Sequence, residues 1–470
     1  MSSRQKVVTL MRSKSSNYKS FRMCKDTTKT GTLQEKNLFS FAESVSEKKI
    51  RVGFDAPDLS SNGGLLLVDE EACGLIDRMA HCIPDSRKQE FVDHSYQELL
   101  RQRIGQIICG YEDANDCDKL RHDSALKLMA GRLPSGKPLG SQPTMSRLEN
   151  SVSTRTLYEI GRMFVKEFVK SFDKAPKHVI LDVDDTNANT YGAQQLSLFN
   201  DYYGEYCYMP MLMFDGVTGK MILPLLKPGR RNKSVNVFGI LRRVVEYLRK
   251  CWPNTVIEVR GDSHFCSHEF MDWAHGKYLV RFITGLSGNK VLLGKVDKAR
   301  RRAENDYTKH GKDICRYFTF EYKAQSWKYA QRVVAKVEVN GNGTNIRFVV
   351  SSNRNNTTQW VYRRYCKRGT MELWIKDMKY LRADRMSCSS FKANQFRLFL
   401  HAAAYVILHD MKRRLFKGTD VAKFTTDSFI KSIMLSAIHV TEKKTFVHVS
   451  FVRKHRFREQ LEAAFEKLAA

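Results

Sequence analysis

Apolar and polar positions change their rhythm several times along this chain, and each change predicts a different kind of element. Residues 1–50 are rich in Ser, Thr and Lys and poor in large apolar side chains, which predicts a basic flexible arm. From residue 51 to 174 apolar residues recur at helical spacing, as in EFVDHSYQELLRQRIGQIICGYEDAND and between Thr154 and Phe172, so a mostly helical region is expected. After Lys177 the period shortens. HVILDVDDT reads as a strand ending in acids, and YCYMPMLMFDG with KMILPLLKPG reads as a hairpin turning at Asp215 to Gly219. SVNVFGILRRVVEYLRKCW is then an amphipathic helix capped by Ser234, burying Val237, Leu241, Val244, Val245 and Leu248. TVIEVRGD follows as a fourth strand, which completes an α/β layer pattern over 175–285.

A basic stretch, KVDKARRRAEND, precedes the strand-like runs YFTFEYKA, QRVVAKVEV and IRFVVSS, so 286–359 reads as a β-rich insertion. Helical spacing returns over 360–415, and 416–470 forms a basic C-terminal region with one strand-like run, TFVHVSFVRKHRFR, and a short amphipathic helix. The apolar run from Phe399 to Leu408 is too short, and too interrupted at His401, to cross a bilayer.

Charge narrows the function classes. Lys and Arg total 79 against 50 Asp and Glu, a net +29, and the excess is spread over the chain. Such an excess points to a polyanion, and nucleic acid fits better than a membrane because no basic amphipathic anchor or lipidation site is evident. Eleven cysteines, an odd number scattered singly, predict reduced thiols in a cytoplasmic compartment.

The chemistry concentrates in YCKRGTMELWIKDMK. At about 100° per helical residue, Tyr365, Arg368, Glu372 and Lys379 fall within roughly 60° of one another. A carboxylate flanked by cations and an aromatic ring suits phosphodiester chemistry, although a solvated charged face is the common fate of such residues. Upstream, Asp182, Asp184 and Asp185 end the first strand and Asp262 follows the fourth, where ligand sites form in open α/β sheets. By strand parity Asp182 and Asp184 share a face and Asp185 points away. Three carboxylates could hold two Mg²⁺ or Mn²⁺ ions for in-line displacement at phosphorus.

Other signals are weaker. Asp262, His264, Cys266 and His268 form a DxHxCxH cluster, but no second ligand pair stands at structural-zinc spacing, so zinc is not expected. GSQPTMSRLEN carries a helix-start signature, with Thr144, Ser146, Arg147 and Asn150 placed as a helix-turn-helix places its groove-reading side chains; an ordinary capped helix gives the same pattern. Trp327, Trp360 and Trp374 are candidates for stacking on an unpaired base or for packing.

With these residues in view, the chain resembles the DDE transposases of bacterial insertion sequences, in the branch marked by a YREK signature. Tyr365, Arg368, Glu372 and Lys379 fit that signature, and LDVDDT and VRGDSHF resemble the family's two earlier acidic motifs. The resemblance implies an α/β, ribonuclease H-like catalytic core, interrupted by a β-rich insertion and preceded by a helical DNA-binding region. It implies Asp184, Asp262 and Glu372 as catalytic and metal-binding residues, with Asp182 and Asp185 as alternatives to Asp184. Tyr365, Arg368 and Lys379 would hold the DNA end, with Ser146 and Arg147 as further DNA contacts. Two Mg²⁺ ions per site (Mn²⁺ substituting), double-stranded DNA as partner, a homodimer on paired element ends and a nucleoid-associated, cytoplasmic bacterial setting follow from the same resemblance. The rival readings are a metal-dependent nuclease without strand transfer and a non-catalytic DNA-binding relative.

Overall fold

The helices of the N-terminal region start where capping side chains stand. In this computed structural model, which describes residues 54–230 and 236–469, Asp69 caps α1 (Glu70–His81), accepting from the Ala72 amide, and Ser95 caps α2 (Tyr96–Ile108) through the Glu98 amide. The short helices α3 (Asp116–Leu120) and α4 (Ser124–Met129) follow, then α5 (Gln142–Ser151) and α6 (Thr154–Lys170), the last capped by Ser153. The basic arm expected over 1–50 and the cap expected at Ser234 lie outside the described residues.

A short strand, β1 (Leu59–Ser60), precedes these helices. The central sheet begins at β2 (His178–Asp185). The chain then makes a small satellite sheet from β3 (Ala188–Asn189), β4 (Leu198–Asn200) and β5 (Glu205–Tyr208) before returning as β6 (Met211–Asp215) and β7 (Met221–Leu225). The apolar run YCYMPMLMFDG is therefore two strands, divided at Met209 and Pro210 and belonging to different sheets, while the expected hairpin turn at Asp215 to Gly219 is present between β6 and β7. The amphipathic helix α7 (Val237–Cys251) buries Leu241, Val244, Val245 and Leu248 as expected and takes its cap from Asn236. After it come β8 (Val256–Gly261), α8 (His268–Ala274) and β9 (Val280–Leu286).

The basic stretch that opens the expected β-rich insertion is a helix, α9 (Lys290–His310), capped by Asn289 and stopped by Gly311 at φ 61°. Its buried positions Leu292, Val296 and Ala303 are too sparse among charges to announce a helix by periodicity alone. The strands β10 (Ile314–Tyr322), β11 (Gln331–Asn340) and β12 (Gly343–Ser351) follow, and they extend the central sheet instead of forming one of their own. The eight-stranded order is β10-β11-β12-β9-β8-β2-β6-β7, with β2, β8 and β9 mutually parallel and the remaining neighbours antiparallel.

The chain closes with α10 (Thr358–Cys366), a 3₁₀ turn over Lys367–Thr370, α11 (Met371–Tyr380) and the long α12 (Phe391–Arg414). Beyond them are α13 (Thr426–Phe429), the hairpin β13 (Ile438–Glu442) and β14 (Val447–Phe451), to which β1 adds a third strand, and α14 (Arg458–Ala469). One hydrophobic cluster runs from Leu65 and Leu75 through Leu100, Phe164 and Phe399 to Leu461, so the N-terminal helices, α12 and the C-terminal region share a core. A second cluster fills the other face of the sheet, between β2, β8, α7 and α9. From Asp58 onward the described chain packs as one unit. Among the described residues no helix is long and apolar enough to cross a membrane, and every described cysteine is a free thiol.

Candidate active site at the acidic strand end

Alternation along β2 sends its three aspartates into three different environments. Asp182 lies opposite Arg260 in the register of β2 and β8. Both side chains are fully buried, and Arg260 Nε and Nη2 donate to the two Asp182 carboxylate oxygens at 2.5 and 2.6 Å. Arg260 Nη1 also donates to the Arg364 carbonyl at 2.8 Å, tying the sheet to α10. Burial pushes the Asp182 carboxyl up against the pull of Arg260. Gly216 covers this pair so closely that a Cβ there would sit 2.5 Å from Asp182 Oδ2. With both oxygens committed, Asp182 is an internal counter-ion.

Asp184, on the same face two residues further, is partly open. Its Oδ2 accepts from Arg368 Nη1 at 2.5 Å and its Oδ1 from the Asp185 amide at 3.0 Å. Burial raises its carboxyl to about 6, with Arg368 drawing it down and Asp262 pushing it further up. Asp185 turns to the opposite face, where Lys227 Nζ meets its Oδ2 at 2.6 Å and its Oδ1 is buried without a partner. Burial raises this carboxyl too, against Lys227.

Asp262 reaches the same end from the neighbouring strand. Because Val183 pairs with Gly261, Asp184 and Asp262 each stand one residue beyond paired positions of parallel strands. Asp262 caps the 3₁₀ turn Ser263–Phe265, accepting from the His264 amide at 2.9 Å, and its Oδ2 lies 3.2 Å from His264 Nδ1. Burial would raise it, but the bonds and charge of His264 outweigh burial and hold it below the ordinary carboxylate range.

The signature residues arrive by one helical path. The 3₁₀ turn between α10 and α11 breaks the uniform 100° step assumed from sequence, and Arg368 comes under Tyr365, its guanidinium 6.0 Å from the ring centroid. The Tyr365 hydroxyl packs over Gly285, where an added Cβ would lie 2.8 Å from it and 2.9 Å from the Ser263 amide. Lys379 Nζ donates to Asn187 Oδ1 at 2.9 Å, and Asn187 Nδ2 in turn donates to Glu205 of β5 at 2.9 Å. Arg368 and Lys379 are thus both turned onto the end of β2.

Glu372 is the exception. It is exposed in the first turn of α11 and has no hydrogen-bond or ion-pair partner among the described residues. The expected group of three carboxylates does not assemble: among the described residues no three His, Cys, Asp or Glu side chains stand as a metal-holding group. The oxygen donors are chemically suited to Mg²⁺ or Mn²⁺, but as placed they do not fit a metal, because Arg368 holds the Asp184 oxygen and no three such side chains stand together among the described residues. The His264, Cys266 and His268 cluster likewise does not converge. His264 is exposed, Cys266 is raised by burial, and His268 begins α8 beside Glu269.

Ser146 and Arg147 sit on α5, which buries Met145, Leu148 and Glu149 and leaves Arg147 and Asn150 exposed. Arg147 Nη2 donates to Thr144 at 3.1 Å and Asn150 to the Ser146 carbonyl at 2.9 Å. Glu149 pairs with the buried Arg103 at 3.1 Å. Of the tryptophans, Trp327 is buried, Trp374 packs 5.6 Å from Phe214, and Trp360 is exposed with Arg364 over its ring. Arg260, Lys227, Asn187 and Glu205 were not anticipated. Arg260 had a legible signal, since an acid inside VILDV needs a cation and VEVRG supplies one in register.

Carboxylates thus stand at the ends of adjacent parallel strands, Asp184 against Arg368 and Asp262 against His264. The family model "Transposase DDE domain group 1" matches residues 42–470, and the chain belongs to this family. No curated protein matches it. Among solved structures it is similar to the piggyBac transposase synaptic complex with hairpin DNA determined by cryo-EM, at 12% identity and a TM-score of 0.41 over 81% of this chain and 80% of that one.

Proposed function

We propose that this protein is a DNA transposase of a bacterial insertion sequence, of the YREK-signature branch. It cleaves phosphodiesters at the inverted-repeat ends of its own element, as a homodimer, and joins the freed 3′-hydroxyls to target DNA. The observation that carries the reading is the placement of Asp184 and Asp262 one residue past paired positions on parallel strands, with Arg368 on Asp184. The order β7-β6-β2-β8-β9, with only β6 reversed, supports a ribonuclease H-like core around those strands.

In this reading Asp184, Asp262 and Glu372 are the catalytic acids, while Asp182 is excluded from that role by its buried pair with Arg260. Arg368 and Lys379 exchange their present acceptors, Asp184 and Asn187, for DNA phosphates, and Tyr365 lies against the DNA end. Release of Arg368 uncovers the Asp184 carboxylate just as DNA brings negative charge to the site. The acids' hard oxygens make divalent cations the expected cofactors.

The test is cleavage of labelled element-end DNA in Mg²⁺ or Mn²⁺ by wild type and by Asp184→Ala, Asp262→Ala and Glu372→Ala. Metal-dependent cuts by wild type, absent from each variant that still binds DNA, are expected. Wild-type cleavage by Glu372→Ala would remove the third acid. Cutting without joining of pre-cleaved ends would leave a nuclease. The non-catalytic reading, which the exposed position of Glu372 favours, requires specific end binding with no cutting by wild type.

A further inference from the structure

The outer strands of the central sheet do not stop where the inner ones do. β9 ends at Leu286, paired with Phe348, whereas β12 begins at Gly343. Residues 343–347 therefore run past the end of β9, carrying their partners on β11 and β10 with them. At about 3.3 Å per residue this overhang is roughly 16 Å. Since β9 is parallel to β8 and β2, the wing projects beyond the end of the sheet where Asp184 and Asp262 stand.

Helix α9 lies along this wing. It buries Leu292, Val296 and Ala303, and near the tip Glu304 accepts from Thr344 at 2.8 Å. Its charged surface is divided. On one side Arg300 pairs with Asp297 at 2.8 Å and Glu304 at 2.9 Å, and Arg301 pairs with Asp297 at 2.9 Å. On the neighbouring stripe Lys298, Arg302 and Lys309, within about 40° of one another at 100° per residue, are exposed. None of them has a hydrogen-bond, ion-pair or ring partner among the described residues. Two like charges four residues apart destabilise a helix when nothing answers them. The same helix neutralises one side with its own acids and leaves the other bare.

We propose that Lys298, Arg302 and Lys309 form a contact surface for the phosphate backbone of double-stranded DNA, holding the duplex where it runs past the acidic strand end. From Lys298 to Lys309 the stripe is about 16 Å long at 1.5 Å per residue, and a duplex carries a phosphate charge about every 1.7 Å of its axis. All three cations can therefore be answered by one stretch of backbone. The inference rests on the DNA-processing reading above, and it concerns binding alone.

Fluorescence anisotropy with a labelled duplex of arbitrary sequence, about 40 base pairs long, gives the slope of log affinity against log salt, to which each phosphate contact contributes about 0.9. The full-length variant carrying Lys298→Ala, Arg302→Ala and Lys309→Ala is expected to lose about 2 to 3 from that slope. Its far-ultraviolet circular dichroism and Tm should be unchanged, as the three side chains are exposed. Arg301→Ala, which removes a cation already paired with Asp297, should change the slope by less than about 1. Lys298→Arg with Lys309→Arg should preserve it. A triple variant with the wild-type slope overturns the proposal while leaving the transposase reading intact. A wild type that binds no duplex, or binds with a flat salt response, overturns both.

Discussion

Two arginine–aspartate pairs stand two residues apart on β2, each closed at 2.5 Å, and they do different work. Arg260 and Asp182 are 0% exposed on both sides and share two bonds, with Arg364 and Gly216 closing the remaining space. Arg368 and Asp184 share one bond and keep 21% and 16% of their side chains open. The first pair cannot exchange partners without leaving a charge in the core. The second can, because solvent and an incoming ligand reach it. Bond length does not distinguish the closed pair from the open one here; the availability of a second partner does.

The largest expected effect breaks the first pair. Asp182→Ala strands Arg260 in the core and should cost about 3–5 kcal/mol in chemical denaturation, as removal of one partner from a buried pair does. Asp182→Ala matched by Arg260→Met should recover much of that loss, since no charge is then left uncompensated. If Asp182→Ala lost less than the same change at Asp184, the contrast between the pairs would be wrong.

The second effect is a pH dependence to which the open pair contributes alongside the buried Asp182 and Asp185, whose carboxyls are also raised by burial. Asp184 titrates at about 6 in the fold against an ordinary 3.8, so between those values the folded state binds more protons than the unfolded one. Stability should therefore fall as pH rises from about 4 to 6 and level off above, by up to about 2 kcal/mol after allowance for partial exposure. Asp184→Asn should make that decline shallower in urea melts across the window, leaving the share of Asp182 and Asp185. An unaltered decline in the variant would place its source elsewhere.

How much of this was readable in sequence depends on whether local pattern or tertiary pairing decides each feature. β2, the β6–β7 hairpin, α7 and its buried stripe, and the strands β10 to β12 follow from periodicity. α9 was hidden because only Leu292, Val296 and Ala303 of its 21 residues are buried, too few to set a period. The satellite sheet was hidden because Met209 and Pro210 interrupt an apolar run without a turn signature. Parity placed Asp182 and Asp184 on one face, but only the β2–β8 register reveals that Arg260 takes the first and leaves the second. The stripe of Tyr365, Arg368, Glu372 and Lys379 assumed one unbroken helix; the 3₁₀ turn at Lys367–Thr370 interrupts it, and Glu372 is exposed with no partner among the described residues.

The smallest effect on stability is the most informative about the site. Arg368→Gln should cost only about 1 kcal/mol, because the partly open Asp184 can turn to water. It should nonetheless raise the affinity of the DNA-free protein for Mn²⁺, read by paramagnetic broadening of resonances around Asp184, since the guanidinium no longer holds the Oδ2 atom. Arg260→Gln should not, being buried away from that oxygen and costly to the fold. If Mn²⁺ affinity is the same with and without Arg368, then Arg368 and a metal do not compete for Asp184. The open pair would then be as structural as the buried one, and its partial exposure would have no consequence for the chemistry.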